Sequence, residues 1–289
     1  MRGVIGATLV LLATLLAATV GPAADVRKTT VSYQAPTTDL TIKGTLMVPA
    51  AAPTPAPAVL LLHGSGGVDG RGEYHAEALN RQGIATLEID MWGPRGLKGG
   101  PQSRAKRLRE TYPDAFGGLL FLAQRPEIDP RRIGIMGFSW GGGLALATAS
   151  TALVDEFTAG KARFAAHAPL YPACWSFLRT AAGFQMTGAP VHIFVGDKDD
   201  YDAPDACQQV VDRLPAESKR VVTLTVYPDA YHGWDSRTGS ANFFDPNAAQ
   251  GKGGRVRFYP DGKLAERSRR EVVEFFTQSF AAVTPATKP

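Results

Sequence analysis

Residues 133–143, IGIMGFSWGGG, place a single serine between glycines where an apolar run gives way to small residues. Gly137 and Gly141 stand two positions before and after Ser139, in the pattern G-x-S-x-G. A strand that turns abruptly into a helix strains its central residue, and only glycine lets the neighbouring chain pass so close. The pattern predicts a strand, a sharp turn that exposes the Ser139 hydroxyl, and a helix. The alternative is a glycine-rich turn whose serine takes no part in chemistry.

Five further apolar runs resemble the one that precedes Ser139, as strands buried on both faces of a parallel sheet do. They are AVLLLHG at 58–64, IATLEID at 84–90, FAAHAPLY at 164–171, VHIFVG at 191–196 and VVTLTVYP at 221–228. Helical segments at 73–83, 103–124, 141–150, 204–214 and 264–280 alternate with the runs, and residues 28–34 and 40–49 alternate like two antiparallel edge strands. The sequence predicts an α/β fold with a doubly wound, mostly parallel sheet, helices on both faces and an antiparallel N-terminal strand pair.

The composition of the 289 residues, 44% hydrophobic and 20% charged, favours one large globular domain over a disordered chain. The net charge is +4, but the 31 Lys and Arg residues are scattered, so we expect no nucleic-acid partner.

The N-terminus has the features of a secretory signal peptide, because Arg2 precedes an apolar stretch at 7–20 that ends in GPAAD. The stretch is shorter than the roughly 20 residues that span a bilayer, and no cysteine lies near the cleavage site to carry a lipid. We predict cleavage after Ala23 or Ala24, so that 1–24 is removed and 25–289 forms a single periplasmic or secreted domain. A stable membrane anchor is the disfavoured alternative.

In a doubly wound sheet, ligands bind beyond the carboxyl ends of the strands. Ser139 follows one predicted strand, and His232, in YPDAYHGWD, follows the last one, where its neutral ring could take the serine proton. The loop GDKDDYD at 196–202 supplies the acid that orients such an imidazole, and we choose Asp199, with Asp200 and Asp202 as runners-up. The alternative for this loop is an acidic, calcium-like site, but the EF-hand spacing is absent.

The loop HGSGG at 63–67 ends the first core strand. Its backbone amides near Ser65 are the predicted second oxyanion donor, opposite the amide of Trp140. We interpret His63 as a structural residue that braces this loop. The chain order serine, aspartate, histidine is the order of the α/β-hydrolase topology.

The segments LLHGSGG, IDMWGPRG, GFSWGG, APLYPAC, GDKDDYDAPDAC and YPDAYHGWD together resemble the dienelactone hydrolase family of α/β-hydrolases, over roughly residues 59–280. The resemblance implies hydrolysis of a lactone or another carboxylic ester, without metal or organic cofactor, with Ser139 as nucleophile, Asp199 as acid and His232 as base. The best-known members carry a cysteine nucleophile, so the serine widens the range of plausible esters. Arg95, in WGPRG, is the nearest match to the arginines that hold the substrate carboxylate there, and a helix-capping or salt-bridge role is the alternative.

Four tryptophans follow predicted strands, at the edge of the sheet where the site is expected: Trp92, Trp140, Trp175 and Trp234. Their indole rings could line an apolar pocket for a bulky or aromatic part of the substrate, with ordinary rim packing as the alternative. Cys174 and Cys207 also follow neighbouring core strands, and we predict a disulfide between them, which suits an oxidising compartment; two buried thiols are the alternative.

The expected function is therefore a secreted serine hydrolase that cleaves carboxylic esters or lactones through an acyl-enzyme and loses activity at acid pH, as its base is protonated. A small-molecule ester or lactone is the expected partner. Three alternatives stay open: a secreted serine peptidase, an esterase for polysaccharide or polymer esters, and a non-catalytic binding protein that kept the fold.

Overall fold

The computed structural model describes residues 25–283. The predicted signal peptide, residues 1–24, lies outside the described residues. Within residues 25–283, no helix combines the length and the apolar character that crossing a membrane requires.

Eight strands form the central sheet, in the spatial order β1-β2-β4-β3-β5-β6-β7-β8. They are β1 (Val26–Gln34), β2 (Thr41–Pro49), β3 (Ala56–Leu62), β4 (Ala85–Asp90), β5 (Ile128–Phe138), β6 (Ala166–Leu170), β7 (Val191–Gly196) and β8 (Val222–Tyr227). β2 runs antiparallel to both β1 and β4, and the other neighbours pair in parallel. The predicted mostly parallel sheet with its antiparallel N-terminal pair is confirmed.

Helices cover both faces of the sheet, as predicted. They are α1 (Arg71–Arg81), α2 (Tyr112–Ala123), α3 (Trp140–Ala147), α4 (Thr151–Thr158), α5 (Ala206–Arg213), α6 (Ala216–Lys219), α7 (Ala248–Gly251) and α8 (Gly262–Ala281). Strand β3 shows how the layers form, because Val59 and Leu61 pack with α1 and α8, whereas Leu60 and Leu62 pack with α2, α3 and α4. Successive side chains of a strand point to opposite faces, so a strand between two helical layers is apolar throughout.

The helix predicted over residues 103–124 is wrong in its first half. Only a short 3₁₀ turn (Leu108–Thr111) precedes α2, which begins at Tyr112 with Pro113 in its first turn. Proline is tolerated there because the first turn lacks amide partners anyway, whereas a proline inside a longer helix would break it.

Three features of residues 25–283 lie outside the sequence prediction. Two are the short helices α4 and α6, and the third is a separate antiparallel pair, β9 (Ala241–Asp245) and β10 (Gly254–Phe258), which with α7 forms an insertion between β8 and α8. We call residues 241–258 the hairpin insertion.

The predicted disulfide between Cys174 and Cys207 is confirmed, with Cα atoms 5.1 Å apart. It joins the 3₁₀ turn that follows β6 (Cys174–Phe177) to α5. Both cysteines are buried against the same apolar cluster. The cross-link therefore fixes a loop at the carboxyl end of the sheet.

Candidate active site

Ser139 occupies the predicted sharp turn between β5 and α3, with φ 54° and ψ −106°. A Cβ on Gly137 would lie 2.3 Å from the carbonyl carbon of Gly141, and a Cβ on Gly141 would lie 2.3 Å from the Leu62 carbonyl oxygen. Any side chain at either position would therefore collide with backbone. This is the close passage that the G-x-S-x-G pattern predicts, and it holds a non-glycine residue at an uncommon positive φ.

The structure brings the three side chains of the predicted triad into one hydrogen-bonded line. The Ser139 Oγ lies 2.8 Å from Nε2 of His232, and Nδ1 of the same ring lies 2.7 Å from Oδ2 of Asp199. The imidazole is 4% exposed and the carboxylate 9%. This arrangement can pass a proton from the hydroxyl to the ring while the carboxylate holds the ring's orientation.

The two runner-up acids have other partners. Asp200 forms an ion pair with Arg257 of β10, at 2.7 Å. Asp202 accepts the backbone amides of Cys174 and Trp175, at 2.6 and 2.8 Å. Burial, together with the charge of Asp199, raises the pKa of Asp202 to about 7. Among these acids, only Asp199 is hydrogen-bonded to His232.

Two tyrosines flank the His232 ring, and neither is among the site residues predicted from the sequence. The ring centroid of Tyr201 is 4.4 Å from that of His232, and the centroid of Tyr171 is 4.9 Å away. Tyr171 is the last residue of the predicted strand at 164–171, and Tyr201 lies in the acid loop at 196–202. Their positions at the edge of the sheet where the site is expected were the available signal. Two aromatic walls restrict the ring to the orientation that its hydrogen bonds require.

Tyr171 belongs to a buried cluster of charged and hydrogen-bonded side chains. Its hydroxyl donates to Asp235 and accepts from Arg71, whose guanidinium also binds Asp69 with an N–O distance of 2.6 Å. His75 on α1 is hydrogen-bonded to Asp235 at 2.9 Å, and both side chains are fully buried. We call these five residues the Asp235 cluster. It links α1, the end of β6 and the loop that carries His232.

The loop at 63–67 lies beside Ser139, as predicted. The carbonyl oxygen of Ser65 accepts from the Trp92 indole and from the Gly100 amide, and its hydroxyl accepts from Arg104. Trp140 is the first residue of α3, so its amide has no partner within the helix. A Cβ on Gly64 would lie 3.5 Å from the Cβ of Ser139, and Ser139 directly precedes α3, so this loop and the amino end of α3 both lie next to Ser139.

His63 braces this loop, in agreement with its structural interpretation. Its Nδ1 lies 2.7 Å from the Gly64 carbonyl oxygen, and its Nε2 accepts from the Met91 amide at 2.9 Å. Burial lowers the pKa of the His63 ring to about 4, so the ring is neutral at pH 7.

Two cavities meet at Ser139. The first, of about 190 Å³, is lined by Trp140, Trp175 and Leu108, and we call it the tryptophan cavity. The second, of about 330 Å³, is lined by His232 and by residues of the hairpin insertion such as Phe243, and we call it the hairpin cavity. Ser65 and Tyr201 line both cavities.

The predicted substrate contacts are only partly brought to these cavities. Trp140 and Trp175 line the tryptophan cavity, but Trp234 is fully buried and donates its indole proton to Ser268 on α8. Trp92 is 2% exposed, and its indole donates to the Ser65 carbonyl. The prediction of a four-tryptophan wall is therefore corrected, because position after a strand does not say which way a ring turns.

Arg95 also lies in neither cavity wall. Its guanidinium forms two hydrogen bonds with the fully buried carboxylate of Asp114, at 2.6 and 2.9 Å. Burial raises the pKa of Asp114 to about 6, although the hydrogen bonds and charge of Arg95 oppose this rise. Arg95 thus has the structural role that was the alternative for it.

An ion pair stands between the two cavities. Arg104 lines the tryptophan cavity, Asp245 of the hairpin insertion lines the other, and their side chains form hydrogen bonds of 2.7 and 2.8 Å. The hydroxyl of Tyr201 also donates to Asp245, at 2.8 Å. The pair therefore fastens the hairpin insertion to the loop that precedes α2.

Within residues 25–283, the one group of histidine, cysteine and acidic side chains close enough to share a metal ion is Cys174, Asp202 and Cys207. Its two sulfur atoms are joined in the disulfide and offer no thiolate. The group therefore does not have the donor set that a metal requires.

A sequence model of the dienelactone hydrolase family matches residues 42–280. No curated protein sequence matches this chain significantly. Among solved structures, the dienelactone hydrolase from Anabaena variabilis has a TM-score of 0.59 at 20% identity, covering 88% of this chain and 98% of its own. These matches agree with the α/β-hydrolase fold that the sequence predicts.

Two further structures share this fold at 17% identity. Est1E from Butyrivibrio proteoclasticus has a TM-score of 0.60 and covers 87% of this chain and 99% of its own. Esterase 2 from Thermogutta terrifontis, solved as the enzyme phosphorylated by paraoxon, has a TM-score of 0.59 and covers 91% and 96%.

Proposed function

The chain belongs to the dienelactone hydrolase family, and we propose that it is a serine hydrolase that cleaves carboxylic esters or lactones through an acyl-enzyme. The observation that carries the proposal is the line of hydrogen bonds from Ser139 through His232 to Asp199, at 2.8 and 2.7 Å. The backbone of Ser139 supports it further, because a serine at positive φ in a sharp turn from strand to helix is the arrangement of a nucleophile elbow.

In the first half of the reaction, Nε2 of His232 takes the proton of Ser139 as Oγ bonds to the substrate's carbonyl carbon. The backbone amides of Trp140 and of the Ser65 loop stabilise the oxyanion. The tetrahedral intermediate then breaks its bond to the alcohol oxygen, which leaves with the proton held by His232. Asp199 stabilises the cationic ring throughout.

In the second half, a water molecule attacks the acyl carbon and gives one proton to His232. The bond to Oγ breaks, the carboxylic acid leaves, and the proton returns to Ser139. A lactone follows the same path, except that the alcohol stays part of the acyl group.

We propose that the protein acts outside the cytoplasm, after cleavage of residues 1–24. The disulfide between Cys174 and Cys207 supports this location, since disulfides persist in oxidising compartments. Amino-terminal sequencing of the exported protein should give a first residue of 24 or 25. A chain that keeps Met1 and stays in the cytosol would contradict the proposal.

Labelling with a fluorophosphonate tests the nucleophile, with Ser139→Ala as the matched variant. We expect the unmodified protein to be labelled and the variant to stay unlabelled. Labelling of both proteins, or of neither, would overturn the assignment and in the second case favour the non-catalytic alternative. An organophosphorus probe is a suitable choice for this fold, because esterase 2 from Thermogutta terrifontis is phosphorylated by paraoxon.

A substrate panel then separates the remaining alternatives. Aryl esters should be hydrolysed with an initial burst of alcohol, because an acyl-enzyme accumulates when deacylation is the slower half. Lactones should be hydrolysed to their hydroxy acids without such a burst, because their alcohol stays attached to the acyl group. Hydrolysis of short peptides alone would favour the peptidase, and hydrolysis of acetylated polysaccharide alone would favour the polymer esterase.

A further inference from the structure

The two cavities that meet at Ser139 differ in which part of the site they border. His232 lines the hairpin cavity and is absent from the walls of the tryptophan cavity. Trp140, whose amide opens α3, lines only the tryptophan cavity. An ester carbonyl held at Ser139 therefore has one cavity on the imidazole side and a different one on the α3 side.

The transfer of a proton from His232 to the leaving alcohol indicates which half of an ester lies in which cavity. The leaving alcohol oxygen must receive its proton from Nε2 of His232, so the alcohol extends toward the side where the imidazole lies. The acyl carbon stays bonded to Ser139, so the acyl chain takes the remaining direction. The hairpin cavity is thereby the place of the alcohol and the tryptophan cavity the place of the acyl group.

Each acidic side chain that lines the hairpin cavity has a basic partner. Asp69 is paired with Arg71 at 2.6 Å, and Asp245 is paired with Arg104 at 2.7 Å. Other parts of the wall are apolar, supplied by Pro101, Phe243, Phe258 and Ala241. A charged alcohol would find no unpaired opposite charge among these residues, whereas an aromatic ring would meet aromatic and apolar surface.

The tryptophan cavity is the smaller of the two, at about 190 Å³ against about 330 Å³. Its volume lies below the roughly 300 Å³ at which pockets for drug-sized ligands begin. Trp140 and Trp175 contribute large rigid walls, and Ala173 is one of the small residues between them. A short acyl chain fits within this space, whereas a long one would have to extend beyond its walls.

We propose that the substrate is an ester of a short-chain carboxylic acid with a bulky, apolar or aromatic alcohol, whose acyl group enters the tryptophan cavity and whose alcohol enters the hairpin cavity. This inference rests on the proposed serine hydrolase function. The Arg104–Asp245 pair separates the two halves, because each of its members lines a different cavity.

Two substitutions that replace an alanine by leucine, one in each cavity, test the assignment. During deacylation only the acyl group is still bound, so a variant that affects the acyl cavity should change the deacylation rate and one that affects the alcohol cavity should not. Ala173→Leu narrows the tryptophan cavity, Ala241→Leu narrows the hairpin cavity, and Ala282→Leu, after α8, is the control at an exposed position. Acylation and deacylation rates are measured by stopped flow with 2-naphthyl acetate and 2-naphthyl butyrate. The unmodified protein is also compared on 2-naphthyl acetate and methyl 2-naphthoate.

We expect Ala173→Leu to slow deacylation of the butyryl-enzyme about tenfold and of the acetyl-enzyme less, in line with discrimination by single methylenes. Ala241→Leu should slow acylation by both naphthyl esters about tenfold and leave deacylation as in the control. For the unmodified protein, the ratio of the rate with 2-naphthyl acetate to the rate with methyl 2-naphthoate should exceed the ratio for phenyl acetate and methyl benzoate. The smaller pair corrects for the difference in intrinsic reactivity between the two kinds of ester.

The reverse pattern would overturn the assignment: deacylation altered by Ala241→Leu and only acylation altered by Ala173→Leu. Equal effects of both variants on both steps would overturn it too. If Ala173→Leu does not fold, the comparison of the paired esters tests the proposal instead. Equal preference ratios for the naphthyl and phenyl pairs would then contradict it. Failure of the serine hydrolase function itself looks different, because no ester would then be hydrolysed and no label would attach to Ser139.

Discussion

Ser139 is held by its glycine neighbours, and the strain at this one residue depends on how closely two backbones pass. Gly137 and Gly141 each lie where a Cβ would come within 2.3 Å of main-chain atoms. Backbone cannot move aside as the tip of a flexible side chain can. The geometry of the nucleophile is therefore encoded by two residues that have no side chain.

Gly137→Ala is expected to destabilise the fold by about 3 kcal/mol or more, at the upper end of the cost of overpacking. The measurement is the free energy of unfolding in urea, compared with that of Gly262→Ala. Gly262 begins α8, and an added Cβ there meets no atom within 4 Å. The free energy of unfolding of Gly262→Ala should equal that of the unmodified protein or exceed it slightly. Equal free energies of unfolding for the two variants would contradict the steric account.

At the scale of elements, the strands were predictable because a strand between two helical layers must be apolar on both faces. Strand β3 is buried along its whole length, and its sequence shows this as an uninterrupted apolar run. The hairpin insertion carries no such signal, because β9 is mostly exposed and β10 has one fully buried residue, Val256. Its strands pair with each other rather than with the core, so their composition resembles that of a loop.

The hairpin insertion is held over the site by the Arg104–Asp245 pair, whose side chains are 6% and 1% exposed. Arg104→Met would leave a buried carboxylate without its cation, a change that typically costs about 3–5 kcal/mol. We expect amide exchange to become faster throughout residues 241–258 and to stay unchanged in β7, as measured by hydrogen exchange.

The double variant Arg104→Met/Asp245→Leu is the control for this prediction, because it removes the stranded charge together with the pair. It should recover most of the protection, since an apolar pair in place of a buried ion pair is often close to neutral. If the single variant leaves exchange in the hairpin insertion unchanged, the pair is not what fastens it.

At the scale of the whole molecule, the sequence could name the members of the site but not the contacts between distant segments. Ser139, Asp199 and His232 were found because each follows a predicted strand, and parallel strands end at one edge of the sheet. Arg71 and Tyr171 meet across 100 positions, and Arg104 and Asp245 across 141. The local sequence pattern around these residues does not predict such contacts, because the contacts depend on how the loops pack over the core.

The disulfide joins two of these segments, 33 residues apart in the chain. Closing a loop of this length is worth about 3–4 kcal/mol in the chain-entropy account. The Cys174→Ala/Cys207→Ala variant should therefore melt at a lower temperature than the unmodified protein in calorimetry. Reductant should lower the melting temperature of the unmodified protein and have no effect on the variant; equal melting temperatures without reductant would contradict the prediction.

The Asp235 cluster couples the stability of the whole fold to pH. Burial alone would raise the pKa of Asp235, but the hydrogen bond and charge of His75 outweigh it, with help from Arg71 and Tyr171. The pKa of Asp235 consequently lies below the ordinary aspartate value of about 3.9 that the unfolded chain has. A carboxyl with a lowered folded pKa stabilises the fold above the unfolded pKa, and this contribution is lost as pH falls through the folded pKa.

Asp235→Asn should therefore lower the free energy of unfolding by about 3 kcal/mol at pH 7, since it removes a carboxylate from beside the buried guanidinium of Arg71. The difference from the unmodified protein should shrink below about pH 4, where the unmodified carboxyl begins to lose its advantage. Urea unfolding at pH 7 and pH 3.5 measures both values, with Asp229→Asn, at a side chain 89% exposed, as control. A deficit of the same size at both pH values would mean that the loss comes from the shape of the side chain, because a contribution from charge must follow the titration of the carboxyl.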